Sequence, residues 1–282
     1  PFPAAILLTG SGPQDRDETI VGHKPFLVLS DYLTRRGIAV LRSDDRGVGG
    51  SQAGSADATS ADFATDAMAA AEYLQSRAEI DDKRIGLIGH SEGALVAAIA
   101  AAESADVAFV VMLAGTGTMG DEVLRAQAEF MLRESGASDA VIAAHRSVRT
   151  QIFEIVKADS TVPLADRFGA VRADLAAELS DGGFPQQAVD AQVDALIRSF
   201  STSWFRYFLR FDPANTLRQV RAPVLALGGE RDFQVPARDN LPAIEAALHA
   251  GGNRDYTVRE LPELNHLFQT SQTGAASEYA EI

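Results

Sequence analysis

No cysteine occurs among the 282 residues. That excludes disulfide scaffolds, thiolate nucleophiles and cysteine metal sites, and it leaves the redox compartment open. Positive charge is scarce: Lys and Arg total 25 against 39 Asp and Glu, for a net charge of −14. With a pI near 4.7, nucleic acid and anionic membrane are poor partners, because both require a basic surface. No apolar run is long enough to span a bilayer. No G-x-G-x-x-G follows a strand pattern, and G-x-x-x-x-G-K-[ST] and H-E-x-x-H are missing, so no nucleotide, other cofactor or metal is expected. The chain starts at Pro1 without a signal peptide and stops abruptly after Glu278-Tyr279-Ala280-Glu281-Ile282. It therefore reads as an internal piece of a longer protein.

What is present is an ordinary globular composition, 46% hydrophobic and 23% charged. Short apolar runs at Ala4–Leu8, Ile38–Leu41, Ile85–Ile88 and Val107–Leu113 read as buried strands. Helical patterns lie between them. Phe26, Leu29 and Leu33 share a face over 26–36, with Gly37 as a stop. Asp62 is the expected N-cap of a helix that carries Phe63, Ala67, Ala70, Ala71 and Leu74 on one face. Ala94–Ala102 is a strong helix former with little that is polar. Strand and helix alternating in this way predicts βαβ units, right-handed crossovers and a mostly parallel sheet flanked by helices, an α/β fold.

From about Thr116 to Asp212 the strands stop. Helices are predicted over 123–133, 139–155, 164–179 and 187–198, with breaks at Gly136, Pro163 and Gly182-Gly183. Ser203–Phe211 is the densest aromatic cluster of the chain. It is equally suited to a pocket wall or to the core of this helical stretch. The sheet resumes at Pro223–Gly229, a helix follows near 241–248, and a last strand lies near 256–261. The predicted organisation is a discontinuous core, 1–115 and 213–282, with 116–212 inserted as a helical cap.

The chain is organised around Gly89-x-Ser91-x-Gly93, placed between the Ile85 strand and the Ala94 helix. A serine there is held in strained geometry at the carboxyl end of a strand, and the glycines allow strand and helix to approach. A helix N-terminus next to it favours developing negative charge. A serine hydroxyl needs a base, and the base needs an orienting acid, which on such a sheet arrive in the order serine, acid, histidine.

Five histidines are available. His90 sits inside the elbow, pointing away from where a base is required. His23 precedes the serine, and His145 and His249 lie in helical patterns. His266, after the last strand, is the expected base. Asp232, in the loop leaving the Val224 strand, is the expected acid, with Glu230 a close rival and Asp239 a distant one. The backbone N–H groups of Ser11 and Glu92 are the expected oxyanion donors.

Three further stretches carry a family resemblance: Gly-Ser-Gly-Pro-Gln-Asp-Arg-Asp-Glu at 10–18, Asp45-Arg46-Gly47-Val48-Gly49-Gly50-Ser51, and Leu264-Asn265-His266. The chain resembles α/β-hydrolases of the bacterial serine-esterase kind. The resemblance implies a helical cap closing a pocket over Ser91, hydrolysis of a small-molecule ester through an acyl-enzyme, and a structural role for Asp45 and Arg46, pairing to hold loops near the site. Thioester or peptide hydrolysis on the same triad, and a silent fold used for binding, are the alternatives. Family members have one or two strands before the position of Ala4 and a helix after the histidine, neither of which is present in this sequence.

Overall fold

The computed structural model describes residues 1–180 and 186–281; the expected break at Gly182-Gly183 lies outside the described residues. In chain order the elements are β1 (Phe2–Leu8), α1 (Pro25–Thr34), β2 (Ala39–Arg42), α2 (Ser60–Gln75), β3 (Ile80–His90), α3 (Glu92–Glu103) and β4 (Val110–Leu113). Next come α4 (Gly120–Glu134), α5 (Asp139–Lys157), α6 (Leu164–Arg167), α7 (Gly169–Ser180), α8 (Gln186–Phe200) and α9 (Ser203–Arg210). The chain continues with α10 (Pro213–Leu217), β5 (Val224–Gly229), α11 (Ala237–Ala250) and β6 (Tyr256–Leu261), and a short 3-10 helix, Ala276–Ala280, follows His266 where no helix was expected. It divides into two compact units, Pro1–Thr118 with Asp212–Ile282, and Met119–Phe211.

The first unit is a six-stranded sheet in the order β2-β1-β3-β4-β5-β6, parallel at every pairing. The chain moves one way from β1 to β2 and then reverses to reach β3 on the other side of β1. Right-handed crossovers therefore put α1 on one face and α2 and α3 on the other. Side-chain alternation matches this. Ala5, Leu7 and Ile88 form a buried cluster with Phe26 of α1. Their strand neighbours Ala4, Ile6 and Leu87, which point the opposite way, are equally buried. The reversal makes the carboxyl ends of β1 and β3 the switch point of the sheet, the place where open α/β sheets hold their ligands.

Several predicted boundaries move for local reasons. The N-cap of α2 is Thr59, not Asp62. Asp62 is three residues further on, and its carboxylate reaches back to accept from the Thr59 N–H at 2.8 Å and hydroxyl at 2.9 Å. The predicted 107–113 strand shortens to β4, and the helix near 241–248 grows at both ends to α11. Gly117 and Thr118 stay with the sheet unit because both backbone N–H groups donate to Asn240 of α11, at 2.9 and 3.2 Å.

The second unit has no strand among its described residues. The helix predicted over 164–179 is two helices, α6 and α7, parted at Phe168, whose fully buried ring sits in the unit's core. That core collects Ile152, Phe153 and Val156 of α5, Val171 of α7, and Phe205 and Leu209 of α9. The 203–211 aromatics thus contribute to the unit's own core through Phe205, while Trp204 stacks on Phe208 at 5.4 Å.

Candidate active site

Ser91 stands between the last residue of β3 and the first of α3, with φ 53° and ψ −116°. A non-glycine residue there is strained and must be held by its surroundings. Two glycines make the holding possible. A Cβ on Gly89 would run into the Gly93 carbonyl, and one on Gly93 would overlap the Leu8 carbonyl oxygen at the end of β1. The Ser91 N–H donates to the Leu113 carbonyl at 2.8 Å, which fastens the elbow to β4. Every residue of α3 from Glu92 to Ala101 is buried, and the alanines let this helix lie close on the sheet.

The loop leaving β1 lies beside the serine. A Cβ added at Gly10 would stand 3.4 Å from the Ser91 Cβ. The Gly10 N–H donates to Glu18 at 2.7 Å and so is already engaged; Ser11 is the next residue along the loop. Asp45 fixes this loop from β2's exit, accepting from the Thr9 hydroxyl and the Gln14 N–H, each at 2.8 Å. Burial pushes the Asp45 carboxyl up, and the nearby Glu92 and Glu18 charges push the same way. Arg46 does not pair with Asp45. Its guanidinium binds Asp66 at 2.6 Å and the Asp62 carbonyl at 3.2 Å, tying the same turn to α2.

The loops after β5 and β6 bring Asp232 and His266 together. Asp232 Oδ2 lies 2.8 Å from His266 Nδ1, and both side chains are buried. The other carboxylate oxygen accepts the N–H groups of Gln234 and Val235, each at 2.8 Å. A carboxylate so placed fixes Nδ1 as the protonated nitrogen of His266 and leaves the Nε2 lone pair to act as a base. Of the two rival acids, Glu230 instead accepts the Glu263 N–H at 2.8 Å, and Asp239 pairs with Arg238 at 3.5 Å. Asn265, fully buried, accepts from Leu267 and Gln269 N–H groups at 3.0 Å and so sets the turn that carries His266.

Two residues that the sequence did not bring to the site stand at its centre. His90 Nδ1 lies 2.8 Å from Glu18 Oε1, and its Nε2 lies 2.8 Å from the His266 carbonyl. Its ring centroid is 4.7 Å from that of His266. His90 is thus against the base, where the sequence placed it pointing away. The signal was available: a histidine closing an apolar strand has no water to bond and must find buried partners.

Among the described residues no cluster of three or more His, Asp or Glu side chains is placed to hold a metal ion, and no helix is long and apolar enough to cross a membrane.

A parallel sheet with a strained strand–turn–helix serine at its switch point, and an acid–histidine pair on later strand ends, marks a class of α/β proteins that gather reactive loops on one sheet edge. The chain belongs to the alpha/beta hydrolase family, whose model matches residues 17–278. It is 26% identical over 268 residues to the esterase EstD of Thermotoga maritima, a match covering 95% of this chain and 55% of EstD. The chain thus spans about half the length of that curated relative. Solved structures share the fold. The α/β hydrolase GrgF from Penicillium sp. sh18 superposes with a TM-score of 0.57 at 19% identity, over 94% of this chain and 82% of that one. An esterase of Pyrococcus furiosus gives 0.57 at 16%, over 92% and 74%. Est1E of Butyrivibrio proteoclasticus, solved with ferulic acid, gives 0.52 at 16%, over 95% and 82%.

Proposed function

We propose that the chain is a serine hydrolase that cleaves carboxylic esters through an acyl-enzyme. The observation that carries this reading is the buried 2.8 Å contact between Asp232 and His266 Nδ1, in a sheet whose switch point presents Ser91 on a strained elbow. The similarity to EstD, a protein called an esterase, supports an ester as the substrate.

In this mechanism Ser91 Oγ attacks the ester carbonyl carbon while His266 Nε2 takes the hydroxyl proton. Asp232 holds the ring in the needed tautomer and stabilises the imidazolium that forms. The tetrahedral oxyanion is received by the N–H groups of Ser11 and Glu92, the latter at the positive end of α3. Collapse expels the alcohol, which leaves with the proton from His266. Water then attacks the acyl-serine with His266 again as base, releasing the acid and restoring the serine. The helical unit, inserted in the chain between β4 and α10, is assigned the selection of substrate.

The test is a fluorophosphonate probe with mapping of the adduct, alongside hydrolysis of p-nitrophenyl esters of increasing acyl length by wild type and Ser91→Ala. The expected result is a single adduct on Ser91 and hydrolysis abolished in the variant. No adduct there, or unchanged turnover in the variant, refutes the reading and leaves a silent binding fold.

A further inference from the structure

Glu18 and His90 lie outside the proton path of the proposed mechanism, yet they are among its most buried polar groups, 1% and 5% exposed. Their contacts span the site. Glu18 Oε1 accepts the Gly10 N–H on the loop that leaves β1, and the same oxygen faces His90 Nδ1. His90 Nε2 reaches the backbone carbonyl of His266 on the loop after β6. One continuous chain of hydrogen bonds therefore runs from the β1 loop, through the residue immediately before Ser91, to the residue bearing the proposed base.

Atom roles fix the protons. A carbonyl only accepts, so His90 Nε2 carries hydrogen. If Glu18 is an ionised carboxylate, it accepts from both Gly10 N–H and His90 Nδ1–H, and His90 is an imidazolium with every donor satisfied. A neutral His90 with hydrogen on Nε2 would instead turn its Nδ1 lone pair toward the carboxylate oxygen. Burial pulls the His90 imidazolium toward losing its proton, but the Glu18 charge and hydrogen bond, the His266 carbonyl and the more distant Asp232 charge together outweigh it, so its pKa is raised. Glu18 itself sits at φ 51°, a strained backbone for a non-glycine residue.

Resting on the serine-hydrolase reading, we propose that Glu18 and His90 form a positioning pair, a buried charged clamp that holds the β1 loop and the His266 loop in register at Ser91. The hydrogen bonds of the pair go to the Gly10 N–H and the His266 backbone carbonyl, not to the reacting side-chain atoms of the proposed mechanism. The pair acts through placement: loop residues carry both an expected oxyanion donor and the base, and a rigid scaffold alone does not fix loops to the tolerance that acyl transfer demands. A displacement of about 1 Å at such a site costs on the order of a hundredfold in rate.

Two near-isosteric variants test it. In Glu18→Gln a neutral His90 has one N–H and cannot donate both to the amide oxygen and to the His266 carbonyl. If it accepts from Gly10 and from His90 Nδ1–H, neutral His90 presents a bare Nε2 to the His266 carbonyl. In His90→Gln a side-chain amide can replace only one of the two ring contacts. Kinetics on short p-nitrophenyl esters are expected to show kcat lowered about ten- to a hundredfold in each variant, with KM within about threefold of wild type. The double variant should be no worse than the poorer single one, as for groups acting as a unit. Values of kcat within about twofold of wild type in both variants, or losses that multiply in the double variant, overturn the proposal.

A second measurement does not depend on turnover, and its wild-type reading does not depend on the variants folding. In ¹⁵N-histidine spectra of the wild-type chain at pH 8, one ring other than His266 should carry protons on both nitrogens, and its signals should be lost or neutral in Glu18→Gln. A singly protonated His90 refutes the clamp. A wild-type chain that is not labelled at Ser91 refutes the hydrolase reading, while the spectrum still reports on the pair.

Discussion

Replacing Gly93 by alanine perturbs the site through a single methyl group. The added Cβ would overlap the Leu8 carbonyl oxygen and lie 2.6 Å from both the Leu8 carbonyl carbon and the Thr9 oxygen. Carbon prefers neighbours at about 3.5–4.0 Å, so β1's end and α3 must part by about 1 Å. Both sides are backbone, so no rotamer change relieves the crowding. Overpacking of this kind costs about 3 kcal/mol, the upper end for an inserted methyl. Alanine's better helix propensity at this position in α3 returns about 1 kcal/mol. The net expectation is a loss of about 2 kcal/mol. The displaced backbone begins the Thr9–Gly12 loop, so reactivity should fall as well, by about a hundredfold. Urea denaturation and the rate of fluorophosphonate labelling at Ser91 read the two effects. Gly50→Ala is the control, because its Cβ would meet nothing within 4 Å on an ordinary backbone. A Gly93→Ala protein as stable and as quickly labelled as the control would refute the close approach of β1 and α3.

Asp232→Asn should keep the Gln234 and Val235 hydrogen bonds on one oxygen but favour the wrong His266 tautomer, lowering kcat about ten-thousandfold; Glu230→Gln should leave kcat within about threefold, since Glu230 binds only the Glu263 backbone there. Comparing the two in one ester assay decides between the acids. Asn240→Ala strips the acceptor shared by the Gly117 and Thr118 N–H groups and should cost about 2–3 kcal/mol in denaturant titration. Glu278, bonded to the Ser271 and Thr273 hydroxyls and to backbone N–H groups, is held down at about 2 against an ordinary 4.5. Because its folded value lies below the unfolded one, its stabilisation is complete above pH 4.5 and lost as pH falls toward 2. The stability gap between wild type and Glu278→Gln should therefore narrow across that window in denaturation measured at successive pH values.

The sheet was legible in the sequence because parallel strands covered on both faces are apolar throughout, and the runs at 4–8, 85–88 and 224–227 stand out between polar turns. The elbow was legible because its glycines mark a backbone approach that no other residue allows. Asp232 and His266 were found from chain order and loop position, and the structure brings them to 2.8 Å. Glu18 and His90 were not read as partners. They lie 72 residues apart, and the acidic run at 15–18 looks like solvated loop until a fold turns one member inward. The division of 164–179 was missed for a similar reason: Phe168 continues the helical pattern, and only its burial in the second unit's core shows why the chain turns there.

The pairing of β4 with β5 sets a timetable for synthesis. Val110 finds its partner only at Val224, after the whole helical insertion has been made. At about 5–20 residues per second, roughly 6–23 s separate the emergence of the two strands from the ribosome. Wherever β2-β1-β3-β4 pair before then, these four of the six strands end in an unpaired edge of Val110, Val111, Met112 and Leu113, an apolar template for any neighbouring chain. The insertion therefore sets how long the edge of β4 waits during synthesis for its second neighbour.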